Sequence, residues 1–222
     1  MKHILFIVTS TSITGTGKYA AGYEFSEVAD PYFEFSEQGY TVDFASILGG
    51  EPPFVGYDPL HTRSKRFKES KAFKRLSFSH ALKNIDIQAY DAIYFPGGLG
   101  PMTDMVTSPL VKDVIKSVYE SDRVLGAVCH GPVALLNVTL SNGKNLLEGK
   151  RITSFTEAEE KIDEHKLGEV IPFMLDAALA HQGALFSNTT PFNNYVVTDG
   201  KLITGQNPAS ATSVAIEMMK LI

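Results

Sequence analysis

Short apolar runs with almost no polar interruption recur along this chain, each followed by a turn signal and then a stretch of helical period. HILFIV (3–8), TVDFASI (41–47), DAIYF (91–95) and VLGAVC (124–129) are the first four. Each reads as a buried strand, although length alone leaves a buried turn of helix open. Through 19–38 the residues Phe25, Val28, Tyr32 and Phe35 step by threes and fours, and Gly39 stands where a helix C-terminus places glycine. Pro31 lies inside this stretch and predicts a kink or two segments. Strands alternating with helices predict an α/β fold of the flavodoxin-like kind. Its sheet is mostly parallel with helices on both faces, and ligands bind outside the carboxyl ends of the strands.

The alternation continues. PLVKDVIKSVYES (109–121) is an amphipathic helix, and HGPVALLN (130–137) reads as a helix with Pro132 early, where a missing N–H does least harm. RITSFT (151–156) and ALFSN (184–188) read as strands, and residues 170–183 and 208–221 as helices. Asp199-Gly200 between the runs YVVT and KLITG signals a late β-hairpin. Residues 49–90 break the pattern. They open with a Gly- and Pro-rich loop and continue into a basic stretch from Arg63 to Arg75, with seven Lys or Arg and one acid, Glu69; helical character extends to Lys83. A solvated helix face explains that stretch, and a substrate or lipid patch is the sharper alternative. The expected organisation is one domain over 1–222 with an inserted, cap-like subregion near 49–90.

Composition narrows the function. The 222 residues are 44% hydrophobic and 20% charged, which excludes wholesale disorder. The net charge of -5 disfavours sequence-independent nucleic-acid binding. A single cysteine, Cys129, excludes an intramolecular disulfide and any thiolate-rich zinc site. The first apolar run is too short for a secretory signal, and no run is long enough to span a membrane. A soluble, cytoplasmic protein is expected.

Cys129 ends an apolar strand where a helix is expected to begin at once, which is the logic of a nucleophile elbow. Backbone N–H groups at that helix start can lower the thiol pKa and hold an oxyanion. A buried, inert cysteine is the plainer alternative. His130 is adjacent; His3, His61, His80, His165 and His181 occupy no comparable setting. The turn Pro96-Gly97-Gly98-Leu99-Gly100 leaves a strand expected beside that of Cys129, and its amides could complete an oxyanion site. Glu24, Glu27 and Glu34 fall in the expected first helix, and if the face carrying Glu27 is inward, that carboxyl is buried with a raised pKa suited to acid–base work.

Together AVCHGPVALL, PGGLGP, GYEFSEVADPYFEFSEQGYTVDFAS and TDGKLITGQNPASA resemble the ThiJ/PfpI family of the class I glutamine amidotransferase-like superfamily. EGKRITSFTEAEE, NPASA and the extra 49–90 region resemble its heat-inducible chaperone/glyoxalase III branch. The resemblance implies that Glu27 hydrogen-bonds Cys129, that the amides of Gly98 and His130 form the oxyanion site, and that an acid in FTEAEE orients His130. Glu160 matches that acid by spacing, with Glu159 the close competitor. Many members carry histidine where this chain has Leu99. The implied activity is cofactor-free conversion of a small aldehyde, methylglyoxal, to lactate without glutathione, in a homodimer. A stress chaperone or redox sensor, and a cysteine hydrolase (deglycase, amidase or peptidase), are the alternatives.

Overall fold

The computed structural model describes residues 2–14, 17, 19–162 and 170–222, so Gly15 and His165 lie outside the described residues. The first half of the chain runs β1 (His3–Val8), β2 (Tyr23–Glu24), α1 (Ser26–Glu37), β3 (Thr41–Ser46), β4 (Phe54–Val55), α2 (Thr62–Lys68), α3 (Lys71–Leu76), β5 (His80–Ala81), β6 (Ala92–Phe95), α4 (Pro101–Asp104) and α5 (Pro109–Glu120). The second half runs β7 (Val124–Val128), β8 (Arg151–Ile152), α6 (Glu157–Glu160), α7 (Leu175–His181), β9 (Leu185–Phe186), β10 (Val196–Asp199), β11 (Leu202–Gly205) and α8 (Ala211–Met219). No helix among the described residues is long and apolar enough to cross a membrane.

The central sheet has the order β10-β11-β7-β6-β1-β3-β5 and is parallel throughout except at the β10–β11 hairpin. Alternation along each strand feeds two separate cores. Leu5, Ile7, Leu125 and Ala127 point to one face, where Val111, Ile115, Leu175 and Leu179 cover them. Ile4, Phe6, Val8 and Val128 point to the other, under Val28, Phe35, Phe67, Val214 and Met218. Helices on both faces leave the strand ends as the open region where a ligand can enter.

Several expected elements are shorter or different. The first helix begins at Ser26, and Tyr23–Glu24 instead pairs in parallel with Phe54–Val55. That segment's donors are already committed: Tyr23 N–H donates to Pro53 O at 3.0 Å, Glu24 N–H to Gly97 O at 3.1 Å and Phe25 N–H to Val55 O at 3.0 Å. Pro31 does not split the helix. It removes the N–H that would reach Glu27 O, and the Tyr94 hydroxyl of β6 donates to that carbonyl instead, at 2.9 Å. The segment after Cys129 is a five-residue 3₁₀ turn over Gly131–Leu135 rather than an α-helix. Of 151–156 only Arg151–Ile152 is strand; it pairs with Leu185–Phe186 in a small sheet apart from the central one. The expected 170–183 helix is confined to Leu175–His181.

Residues 49–90 supply β4, α2, α3 and the sheet-edge strand β5; the α-helices end at Leu76, and after β5 a 3₁₀ turn covers Leu82–Asn84, Lys83 included. Two of their basic residues reach α1, and a third stacks within the subregion. Arg63 pairs with Glu34 at 2.6 Å, Arg66 lies 4.1 Å over the Phe33 ring, and Lys68 lies over Phe54 and Phe73 at 4.3 and 4.0 Å. The stretch therefore clamps the subregion to the first helix.

Candidate active site

Parallel β6 and β7 pair Phe95 with Ala127, so the turn leaving β6 and the elbow leaving β7 lie side by side. Cys129 has φ +59°, a left-handed conformation that costs a non-glycine residue about 1–3 kcal/mol. Flanking hydrogen bonds hold it there: its N–H donates to Gly205 O at 3.0 Å, and its carbonyl accepts from Phe155 N–H at 2.9 Å. A Cβ at Gly97 would fall 2.6 Å from the His130 nitrogen and 2.8 Å from the Cys129 Cβ, so only glycine lets the two turns approach this closely.

Glu27, in the first turn of α1, is fully buried beneath the elbow. Gly97 N–H donates to its Oε2 at 2.6 Å, Oε1 has no hydrogen-bond partner, and the carboxyl interacts with the Cys129 thiol. Burial, and secondarily the charge of Glu24, holds the Glu27 carboxyl well above the usual range. Burial also pushes the Cys129 thiol up, Glu27 adds to this, and the Gly98 N–H directed at the sulfur pulls it down. The expectation of a thiol acidified by a helix N-terminus is thus corrected: burial of the sulfur, with Glu27 beside it, outweighs the Gly98 N–H. Two acids in one buried site oppose each other's ionisation. With the proton on Glu27, the carboxylate charge that opposes the thiolate is gone.

His130 stands on the other side of the sulfur. Its Nδ1 is 3.3 Å from Cys129 Sγ, and its Nε2 is 2.7 Å from Glu160 Oε1. With Glu160 as acceptor, Nε2 carries the ring proton and Nδ1 turns its lone pair to the thiol. The Phe155 ring stacks on the imidazole at 4.7 Å. Glu159 is occupied elsewhere. It closes a capping box with Thr156, and its Oε1 accepts from Phe192 N–H, Gln206 Nε2 and Asn207 Nδ2 at 2.8, 3.1 and 2.7 Å. The sequence carried a signal for this division: Thr156-x-x-Glu159 is a capping-box pattern, which leaves Glu160 free for the histidine.

A cavity of about 310 Å³ opens over Cys129 and His130. Val55, Leu99, Phe155, Phe192 and Pro208 wall it, Gly98 reaches it, and Glu24 is its one carboxyl among the described residues. Sequence reasoning placed Glu24 on a helix and missed its position in the pocket; it missed Tyr94 too, although a hydroxyl in a buried strand demands a partner. Glu34 serves the ion pair with Arg63. His61 caps α2, His80 lies on the edge strand β5 and His181 ends α7, while the His3 N–H donates to Asp91 at 2.8 Å; none lines the cavity.

A parallel sheet that presents a left-handed cysteine at a strand exit, flanked by a histidine and a buried carboxyl, defines an α/β protein of the cysteine-elbow class. The DJ-1/PfpI family matches residues 19–221, and the chain belongs to it. It is similar to "Glutathione-independent glyoxalase HSP31" of Saccharomyces cerevisiae, with 30% identity over 205 residues covering 86% of this chain and 84% of that one. Among solved structures, glyoxalase III from Candida albicans superposes with a TM-score of 0.86 at 26% identity, covering 100% of this chain and 97% of that one. The Rapid Encystment Protein 24 KDa of Francisella tularensis superposes with a TM-score of 0.94 at 34% identity, covering 100% and 99%.

Proposed function

We propose that this protein converts methylglyoxal to lactate without glutathione, through a hemithioacetal on Cys129. The observation that carries the reading is one sulfur set between a buried carboxyl and an imidazole, with the Gly98 amide aimed at it. The names of the similar proteins support it.

The singly ionised Cys129–Glu27 pair supplies a thiolate and a carboxylic acid. Sulfur adds to the aldehyde carbon, the amides of Gly98 and His130 hold the resulting oxyanion, and Glu27 protonates it. Glu27, now a carboxylate, takes the proton from the former aldehyde carbon and delivers it to the neighbouring carbon. His130 moves the hydroxyl proton between the two oxygens. The product is a lactate thioester, which water cleaves to lactate while the thiol is restored. Glu160 keeps the imidazole in the tautomer this needs. In this reading the 49–90 subregion acts as a cap, through Val55 in the pocket wall. The protein works as a cytoplasmic homodimer, which light scattering of the purified chain checks.

Lactate should form from methylglyoxal in glutathione-free buffer. Cys129→Ser should abolish it, and Glu27→Gln should lower kcat by about 10²-fold or more. Undiminished turnover by Cys129→Ser would refute the proposal.

A further inference from the structure

Glu24 plays no part in the steps above, yet its carboxyl lies in the same pocket as Cys129. Its strand is pinned across the glycine turn by the bond from Glu24 N–H to Gly97 O. The opposite strand is cut back to make room: a Cβ at Gly56, which has φ +70°, would fall 2.0 Å from Glu24 Oε1 and 2.2 Å from Oε2. Ser26 Oγ donates to Oε1 at 3.3 Å. No Lys or Arg lines the pocket among the described residues. The titratable groups sharing this space with Glu24 are Glu27 on α1 and Cys129 and His130 at the elbow; β4 and the residue after it bring only Val55 and Gly56. A built seat for one acid, with no cation to neutralise it, makes the pocket hostile to anions.

We infer that Glu24 is a specificity-determining residue that sorts substrates by charge, hydrogen-bonding the second oxygen of an uncharged 1,2-dicarbonyl compound and turning away 2-oxo acids and other carboxylates. The dicarbonyl part rests on the function proposed above; the charge filter concerns access to the sulfur and does not. Burial raises the Glu24 carboxyl to about 7, so near neutrality it is available both as a donor to a neutral ligand and, once ionised, as a repellent to an anion. The same repulsion favours departure of a carboxylate product.

The test uses two alkylating agents of similar size, neutral iodoacetamide and anionic iodoacetate, on the full chain. Each bonds its methylene carbon to sulfur and releases iodide, and Cys129 is the sole cysteine, so the mass gain reports this site alone. The ratio of iodoacetamide to iodoacetate rates should rise by about tenfold between about pH 6 and about pH 8 in the wild type. In Glu24→Gln it should stay flat, with iodoacetate about tenfold faster at the higher pH than in the wild type. Glu24→Asp, which keeps the charge, should keep the rise. A ratio indifferent to the Gln substitution overturns the filter. In parallel, glyoxylate should inhibit methylglyoxal turnover competitively and more tightly in Glu24→Gln than in the wild type; an unchanged inhibition constant overturns the assignment to substrate choice. If methylglyoxal yields no lactate while the alkylation ratios behave as stated, the proposed activity falls and the filter stands.

Discussion

At Glu159 and Glu160 two neighbouring, equally buried carboxyls have divided tasks, and substitution should separate them. Glu160 meets His130 through one oxygen, and its Oε2 has no partner. Glu160→Gln should therefore leave the fold in place and lower kcat by about 10²-fold, with an altered pH–rate profile and a smaller change in KM. Glu159 accepts three bonds at Oε1, and at Oε2 it accepts from Thr156 N–H and Oγ1 at 3.0 and 2.9 Å. An amide there turns an NH₂ group toward donors, so Glu159→Gln should cost about 2–4 kcal/mol in urea unfolding. Activity should fall chiefly through Phe192, which Glu159 anchors and whose ring meets Phe155 at 5.9 Å. Equal unfolding midpoints for the two variants would contradict this division.

The first helix shows how an element tolerates a broken rule. Tyr94 supplies the donor that Pro31 removes, and in doing so ties Glu27 to the middle of the sheet. Tyr94→Phe should cost about 1–3 kcal/mol, because a buried carbonyl loses its partner. In a Pro31→Ala background, where the helix again offers an N–H, the same change should cost less; a double-mutant cycle of unfolding energies reads the coupling, and strict additivity would count against it. What was legible in the sequence follows the range of the determinant. The β10–β11 hairpin and the α1 core face depend on neighbours within a few positions, and each left a local pattern; the Cys129 elbow left one too, in its strand-to-turn junction, although distant Gly205 and Phe155 hold it. The Tyr23–Glu24 strand depends on Phe54–Val55, some thirty residues on, so its apolar spacing passed for helix. The 3₁₀ turn after His130 was likewise hidden, since Gly131 and Pro132 fit either kind of helix start. The thiol's direction of shift was missed because burial sets it and Glu27 adds to it, and both come only with the tertiary fold.

For the whole molecule, the buried carboxyls of the site make stability depend on pH in an unusual direction. Glu24 titrates at about 7 in the fold and near 4.3 in an unfolded chain, so folding favours its protonated form. Its contribution is fully present below about pH 4 and is lost as the pH climbs through about 7, a change on the order of 3–4 kcal/mol. Glu27 acts in the same sense, starting from the same unfolded value. Urea unfolding at about pH 5 and about pH 8 should show the wild type weaker at the higher pH, with Glu24→Gln losing less; parallel curves would speak against the placement of this carboxyl. The strand order carries a consequence for biosynthesis. β7 ends just before Cys129, but its neighbour β11 and the Gly205 carbonyl that fixes the elbow come some seventy-five residues later. While the ribosome is still making that tail, β7 stands as an unpaired border of a half-built sheet, and the left-handed turn at Cys129 lacks one of the bonds that hold it.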